Sequence, residues 1–323
     1  MSEFDLISKL QKIICPDPVA SRSSCILGIG DDAALIEIPP DRQLVVTTDT
    51  LVEGVHFLPD CSAQDLGHKA LAVNLSDLAS MGAEPAWFFL ALTVPAIDSS
   101  WIESFAQGMA ELAETAGIEL AGGDTTTGPL SITVTALGLV ETGKALTRAG
   151  AREGDLVIVS GVLGAAAFAL RALSNGTQPD AVSRMALDRP TPRLELGRCL
   201  QGLATACIDL SDGLLADLGH ILHKSGKGAE VELERLPHPD CLDSLDDAER
   251  LQLQTAGGDD YELCFTVPAQ RRKELDQVAR ESGTRLTVIG TITDSGQLRC
   301  KTRDGDDYLP SLLGYEHFSE GRK

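Results

Sequence analysis

The chain has 323 residues, 43% of them hydrophobic, enough for about two domains of roughly 100 to 200 residues, which excludes a disordered protein. Its formal net charge of −21 excludes binding of nucleic acid or an anionic membrane through a basic surface, but leaves open nucleotides whose phosphates are bridged by cations. No opening stretch has the basic and apolar regions of a signal peptide, and no apolar run approaches the roughly 18 residues of a membrane span, so a soluble, cytoplasmic protein is expected.

Residues 2–14 carry Phe4, Leu6, Ile7, Leu10, Ile13 and Ile14 at helical spacing, with Ser2 as N-cap, and Pro16 and Pro18 end the helix. Strand-like runs follow at 26–29, 34–38 and 44–48, then a helix over 64–80, a strand over 87–94, and a helix over 98–116 closed by Gly117. LSITVTALGLV at 130–140 reads as a long strand. GKALTRAGAREGD at 143–155 is small, charged and glycine-punctuated, as a connection would be, which divides the chain into domains 1–142 and 143–323. The second half predicts strands at 156–160, 229–234, 261–267 and 286–292 and helices at 162–174, 193–204, 213–224 and 269–282. The fold class is α/β or mixed α+β.

Two familiar motifs mislead. Gly28, Gly30 and Ala33 have the spacing of a dinucleotide-binding turn, but Asp31 and Asp32 inside it would repel a pyrophosphate, and the strand at 34–38 stops at Pro39 without the required helix. Gly138, Gly143 and Lys144 match a P-loop, yet Ala145 stands where Mg²⁺ needs a hydroxyl. The eight cysteines form no C-x-x-C pair and read as reduced thiols, and His220 and His223 read as a solvated helix face rather than a metal site.

More telling is a series of aspartates expected at the ends of elements. Asp31 and Asp32 follow Gly30, Asp49 closes VVTTDT, Asp77 lies in VNLSDLASMG and Asp124 in AGGDTTTGP; the second half adds Asp209 and Asp212 in IDLSDG and Asp259, Asp260 and Glu262 in GGDDYEL. One aspartate after glycine is ordinarily a turn former or helix cap, and Asp212 alone could simply cap the helix behind it. Several together suit Mg²⁺, which takes one or two carboxylates per ion with waters and substrate phosphates, and whose charge lets an acidic loop hold a polyphosphate.

The ordered set GIGDDAAL, TTDTLVEGVHF, KALAVNLSDLASMGAEP, GGDTT, LTRAGAREGD, IDLSDGL, GGDDYEL and GYEHF closely resembles the bacterial thiamine-monophosphate kinases, over about residues 3–318. That family belongs to an ATP-binding superfamily with aminoimidazole-ribonucleotide synthetase, selenophosphate synthetase and a hydrogenase maturation factor. The resemblance implies a two-domain fold dimerising through its N-terminal β-sheet. It also implies direct transfer of the γ-phosphoryl group of ATP to thiamine monophosphate with several Mg²⁺ ions, a monovalent cation being allowed, and no catalytic residue forming a phosphoenzyme. Carried over, Asp32, Thr47, Thr48, Asp49, Asp77, Asp124, Asp209 and Asp212 would ligate metal, and Gly123, Arg148 and Ser211 would contact ATP. His56, Glu262, Tyr315 and Phe318 would hold thiamine monophosphate, either aromatic stacking on the substrate. Read alone, His56 is a satisfied structural histidine and Arg148 a solvated linker residue. The family's pattern leads one to expect GGEDYEL, and Asp259 departs from it by standing in place of the longer acid. The partners implied are small molecules and a second copy of the chain. Another enzyme of the superfamily is the rival reading, but a selenophosphate synthetase would need a reactive Cys in a glycine-rich N-terminal loop. A non-catalytic metal-binding module is disfavoured by the absence of an EF-hand loop.

Overall fold

The computed structural model describes residues 3–15, 25–303, 305–308 and 314. The expected Ser2 cap, the side chain of Phe4, the stops at Pro16 and Pro18, and Tyr315 and Phe318 therefore lie outside the described residues. Among the described residues no helix is long and apolar enough to cross a membrane. The chain divides into two compact units, Met1–Leu78 with Ala83–Ala145, and Ala79–Gly82 with Leu146–Lys323.

The first unit runs α1 (Glu3–Ile14), β1 (Cys25–Leu27), β2 (Leu35–Ile36), β3 (Arg42–Val52), α2 (Ala63–Ser80), β4 (Glu84–Val94), α3 (Ser99–Ala116), β5 (Glu119–Thr127) and β6 (Ser131–Glu141). Its four-stranded sheet has the order β3-β6-β4-β5, antiparallel except for the parallel pair β4 and β5. A small antiparallel ribbon, β1 with β2, stands where the dinucleotide motif would need a helix. Alternation puts Leu90, Leu92, Ile132 and Val134 on the buried face, with Leu71, Leu75 and Leu78 of α2 and Phe105 and Met109 of α3 in the same core.

Helices α2 and α3 meet at two glycines. A Cβ on Gly67 would stand 2.0 Å from the carbonyl oxygen of Phe105, and one on Gly108 1.8 Å from that of Gln64, so neither position has room for a side chain. Asp98 caps α3 by accepting from the Ser100 and Trp101 N–H groups, and Gly117 ends it at φ 68°, as the sequence predicts. Strand β5 departs from the sequence reading, which assigns no element there and expects Asp124 at the end of one. It forms because Gly123 admits the neighbouring backbone, a Cβ there falling 1.9 Å from the Leu90 carbonyl oxygen, and because three β-branched threonines follow.

The second unit runs β7 (Asp155–Ser160), α4 (Ala165–Ser174), α5 (Ala181–Asp188), α6 (Leu194–Cys199), β8 (Ala206–Asp209), α7 (Leu214–Ser225), β9 (Gly228–Glu232), α8 (Asp247–Ala256), β10 (Leu263–Pro268), α9 (Leu275–Ser282), β11 (Leu286–Thr293), β12 (Leu298–Lys301) and β13 (Asp307–Tyr308). Its described strands form one sheet of order β13-β12-β9-β11-β7-β10-β8, antiparallel except for β12 against β9. Val157, Val159 and Cys264 fill one core with α7, and Ile158, Phe265 and Val267 fill another with α6 and α9. The segment read as a connection is partly docked: Leu146 and Ala151 are buried, and the Thr147 carbonyl accepts from Cys207 N–H at 2.9 Å. The sequence pattern predicts neither α5 nor α8, although each opens on an aspartate cap, Asp180 and Asp246.

Helix α4 starts after Gly164, which has φ 93° and no side chain to cap with. Asp260 supplies the cap from a distant loop, its two carboxylate oxygens accepting from Gly164 N–H at 2.9 and 3.1 Å. Burial drives the Asp260 carboxyl well above its ordinary range, the Gly164 N–H opposes the shift, and the charges of Glu262, Asp259 and Asp217 add to it.

Two outcomes follow from these contacts. Gly108→Val, forced against the Gln64 carbonyl, lowers stability by about 2 to 3 kcal/mol, read as a lower urea midpoint. A raised folded-state pKa gives stability present at low pH and lost as pH rises, so Asp260→Asn, which still accepts from Gly164 without a charge to desolvate, has a Tm above the parent's near pH 8. The gap closes as the pH falls below 3.8, the carboxyl's ordinary value, under which the parent side chain is protonated in both states.

Candidate active site

In the first unit the expected metal ligands fall into three places. Strand period two turns Thr47 and Asp49 toward α2 and Thr48 away. On α2, Asn74 and Asp77 are three residues apart and share that side: Asn74 Oδ1 accepts from Asp49 N–H at 3.2 Å, the Thr47 hydroxyl donates to Asp77 Oδ2, and the Asp49 and Asp77 carboxyl groups hydrogen-bond. Burial first, then the charge of Asp77 and the shared hydrogen bond, push Asp49 up to about 6. Asp49 thus lies within a strand and Asp77 within a helix, and Asp124 within β5, rather than at element ends.

Thr48 faces the other side, bonded to the Thr135 hydroxyl at 2.9 Å. Asp124 belongs by register to the row Thr50, Thr133, Ala91 and is exposed, next to the Gly123 that lets β5 approach β4. Asp32 is exposed in the turn after Gly30, its N–H bonded to Asp31 Oδ1 at 2.9 Å. His56 lies in the turn after β3, where Nδ1 accepts from Val52 N–H at 3.0 Å, which places the proton of a neutral ring on Nε2.

Among the described residues, no three His, Cys, Asp or Glu side chains gather closely enough to hold an ion unaided. The Asp49, Asp77 and Thr47 group nevertheless fits Mg²⁺: it is all oxygen, and the charge of Asp77 adds to burial in raising the proton affinity of Asp49. An octahedral shell with two protein carboxylates is completed by water and phosphate.

In the second unit two loops are stitched edge to edge. Asp209 ends β8, buried, and the IDLSDG turn behind it gives its backbone to the GGDDYEL loop: the Ser211 carbonyl accepts from Asp259 N–H at 2.9 Å, the Leu210 carbonyl from Tyr261 N–H at 2.8 Å, and the Glu262 carbonyl from Leu210 N–H at 2.8 Å. Asp259 and Tyr261 both take left-handed backbone, at φ 67° and 47°, which keeps Tyr261 and Glu262 out of β10. Aspartate tolerates that conformation better than a longer acid, and Asp259 Oδ1 accepts from the Tyr261 hydroxyl at 3.0 Å, which gives a physical account of Asp at this position.

Asp212 is not the cap of α7. Gly213 occupies that position, and Asp217 reaches back to accept from the Asp212 and Gly213 N–H groups, each at 3.1 Å. Burial and the charge of Asp212 push Asp217 up to about 7, against those N–H groups and the charge of Arg148. Arg148, itself exposed, thereby belongs to the same neighbourhood as Ser211 and Asp212. Gly314 packs there too, an added Cβ meeting Ala216 Cβ at 2.6 Å and the Asp212 carbonyl oxygen at 2.8 Å.

Glu262 is buried, and its carboxylate is engaged: Arg193 Nε donates to Oε2 at 2.7 Å, Arg193 Nη2 to Oε1, and the Ser160 hydroxyl to Oε2. Arg193, Ser160, Asn74 and Asp217 are not among the residues that the sequence singles out. For Asn74 the signal is present, one helical turn before Asp77; for Arg193 nothing in the string links it to Glu262, 69 positions away.

Residues 30–140 match the family described as AIR synthase related protein, N-terminal domain, and residues 152–302 match its C-terminal domain. The thiamine-monophosphate kinase of Escherichia coli strain K12 is 46% identical over 307 residues, 93% of this chain and 94% of that protein. The crystal structure of thiamine-monophosphate kinase from Stenotrophomonas maltophilia K279a superposes with a TM-score of 0.86 at 45% identity, covering 95% of this chain and 98% of that one. AaThiL complexed with AMPPCP and TMP has a TM-score of 0.77 at 31% identity, covering 98% and 97%. With both halves matched in order and relatives this close over their whole length, the chain belongs to the thiamine-monophosphate kinase family.

Proposed function

We propose that this protein transfers the γ-phosphoryl group of ATP to the phosphate of thiamine monophosphate, giving thiamine diphosphate and ADP. The observation that carries this reading is the Asp49, Asp77 and Thr47 oxygen cluster, built inside a chain that aligns from end to end with kinases of that name. Such a transfer asks mainly for alignment and charge neutralisation. Mg²⁺, when bound, would supply the positive charge that lets these acids and the phosphates share a site. Asp49 and Asp77 would hold it, with Asp32, Asp124, Asp209 and Asp212 serving further ions and Thr47 and Thr48 adding oxygens, a monovalent cation being allowed. Gly123, Ser211 and Arg148 would contact ATP, the glycine by exposed backbone and the arginine by charge. His56, with its Nδ1 committed to Val52 and a proton on Nε2, would donate to the acceptor. Tyr315 and Phe318 would offer an aromatic face to its rings. The acceptor is already an anionic phosphate and needs no strong base.

A cytoplasmic location suits an ATP user whose eight cysteines are all free thiols. We also assign the open face of the first unit's sheet to a second copy of the chain. Leu44 and Val46 of β3 are exposed there, with Ile26 and Leu27 of β1 and Leu35 of β2 also exposed, more apolar surface than scattered side chains leave.

Asp49→Asn keeps the side chain's size, and the protein stays folded by circular dichroism while kcat falls on the order of a hundredfold or more and Mg²⁺-dependent binding of a non-hydrolysable ATP analogue weakens; near-normal turnover would remove the metal assignment. Val46→Asp, which puts a charge on the open face, shifts the mass read by light scattering from dimer to monomer, and an unchanged mass would move the dimer contact elsewhere.

A further inference from the structure

We propose that Arg193 contacts the phosphate of the acceptor and that Glu262 serves the reaction by holding Arg193, not by touching the acceptor. This rests on the phosphoryl-transfer reading above. Glu262 has little left to offer a ligand. Its side chain is 6% exposed, both oxygens accept from Arg193, Oε2 also accepts from Ser160, and a Cβ on Gly161 would stand 1.9 Å from Oε1, so backbone walls off the remaining approach. Arg193 is differently placed. Its side chain is 26% exposed, and while Nε and Nη2 form the fork on Glu262, Nη1 makes no hydrogen bond among the described residues. A guanidinium carries five donors in one plane, so fixing one edge on a carboxylate presents the other edge in a set direction.

That direction has a context. The Glu262 carbonyl accepts from Leu210 N–H, which mounts the pair beside the turn bearing Ser211 and Asp212. Ser160, which bonds the Glu262 carboxylate, also accepts from Leu263 N–H at 2.8 Å, so the anchor is tied to the first residue of β10 and not to a mobile side chain. A buried ion pair contributes little net stability relative to apolar packing, which makes the pair a poor stability device and a good positioning one. In a chain of net charge −21, a cation held in place by Glu262 offers an anionic phosphate a fixed, charge-assisted donor.

The test is steady-state kinetics of Arg193→Lys and Glu262→Gln in the full-length enzyme, with ATP and thiamine monophosphate varied separately and Tm recorded. Lysine keeps the charge that Glu262 requires, so the protein folds, but it lacks the second donor edge. The expected result is an acceptor KM raised about tenfold or more in Arg193→Lys, with the ATP KM within about threefold and Tm within a few degrees, and a smaller rise in Glu262→Gln, whose amide still accepts from Nε. An unchanged acceptor KM in Arg193→Lys, a larger effect from Glu262→Gln, or both KM values rising together with a fall in Tm would overturn the assignment. A parent enzyme that makes no thiamine diphosphate would overturn the phosphoryl-transfer reading and this assignment with it, whereas an active parent with an unaltered Arg193→Lys overturns this assignment alone.

Discussion

Like charges held close together govern this protein. Asp49 and Asp77 stand near enough to share a hydrogen bond, and burial with the charge of Asp77 raises the energy of ionising Asp49. Left to themselves the two side chains would separate, so the surrounding fold must hold them: Asn74 accepts from the Asp49 backbone, Thr47 donates to Asp77, and α2 is seated tightly by the glycine crossing with α3. A rigid acidic pair of this kind is unfavourable alone and favourable once a cation arrives. Preorganisation of that sort lets a protein catalyse phosphoryl transfer without covalent chemistry of its own.

The second unit solves the same problem differently. Its acids are carried on loops, and the loops are locked by backbone hydrogen bonds from Asp259, Tyr261 and Leu210 and by two excursions into left-handed backbone on either side of Asp260. Three of the buried carboxylates there have assigned work: Asp217 caps α7, Asp260 caps α4, and Glu262 holds Arg193. Helices whose cap positions are glycines, Gly164 and Gly213, leave their N–H groups open to carboxylates from other positions, which ties the loop geometry to the helices behind it.

Much of this is legible in the string. The long elements follow from periodicity, and Gly117 marks the end of α3 as capping chemistry requires. The acidic motifs point to cations because aspartates recur beside glycine and threonine. What local reasoning cannot supply is tertiary. Whether Thr47 or Thr48 faces Asp77 depends on the phase of β3, whether AGGDTTT is a turn or a strand depends on the close approach of Leu90, and whether Asp212 caps α7 depends on Asp217 reaching backward five residues. Arg193 is the clearest case: an arginine before a short helix reads as solvated, and only the fold brings it to Glu262.

The most direct measurement offers the purified protein ATP and Mg²⁺ with either thiamine monophosphate or free thiamine, and quantifies thiamine diphosphate as its fluorescent oxidised derivative. Thiamine diphosphate formed from the monophosphate alone, in amounts matching the ADP released, is the predicted result. No product from the monophosphate, or equal product from free thiamine, would contradict the account.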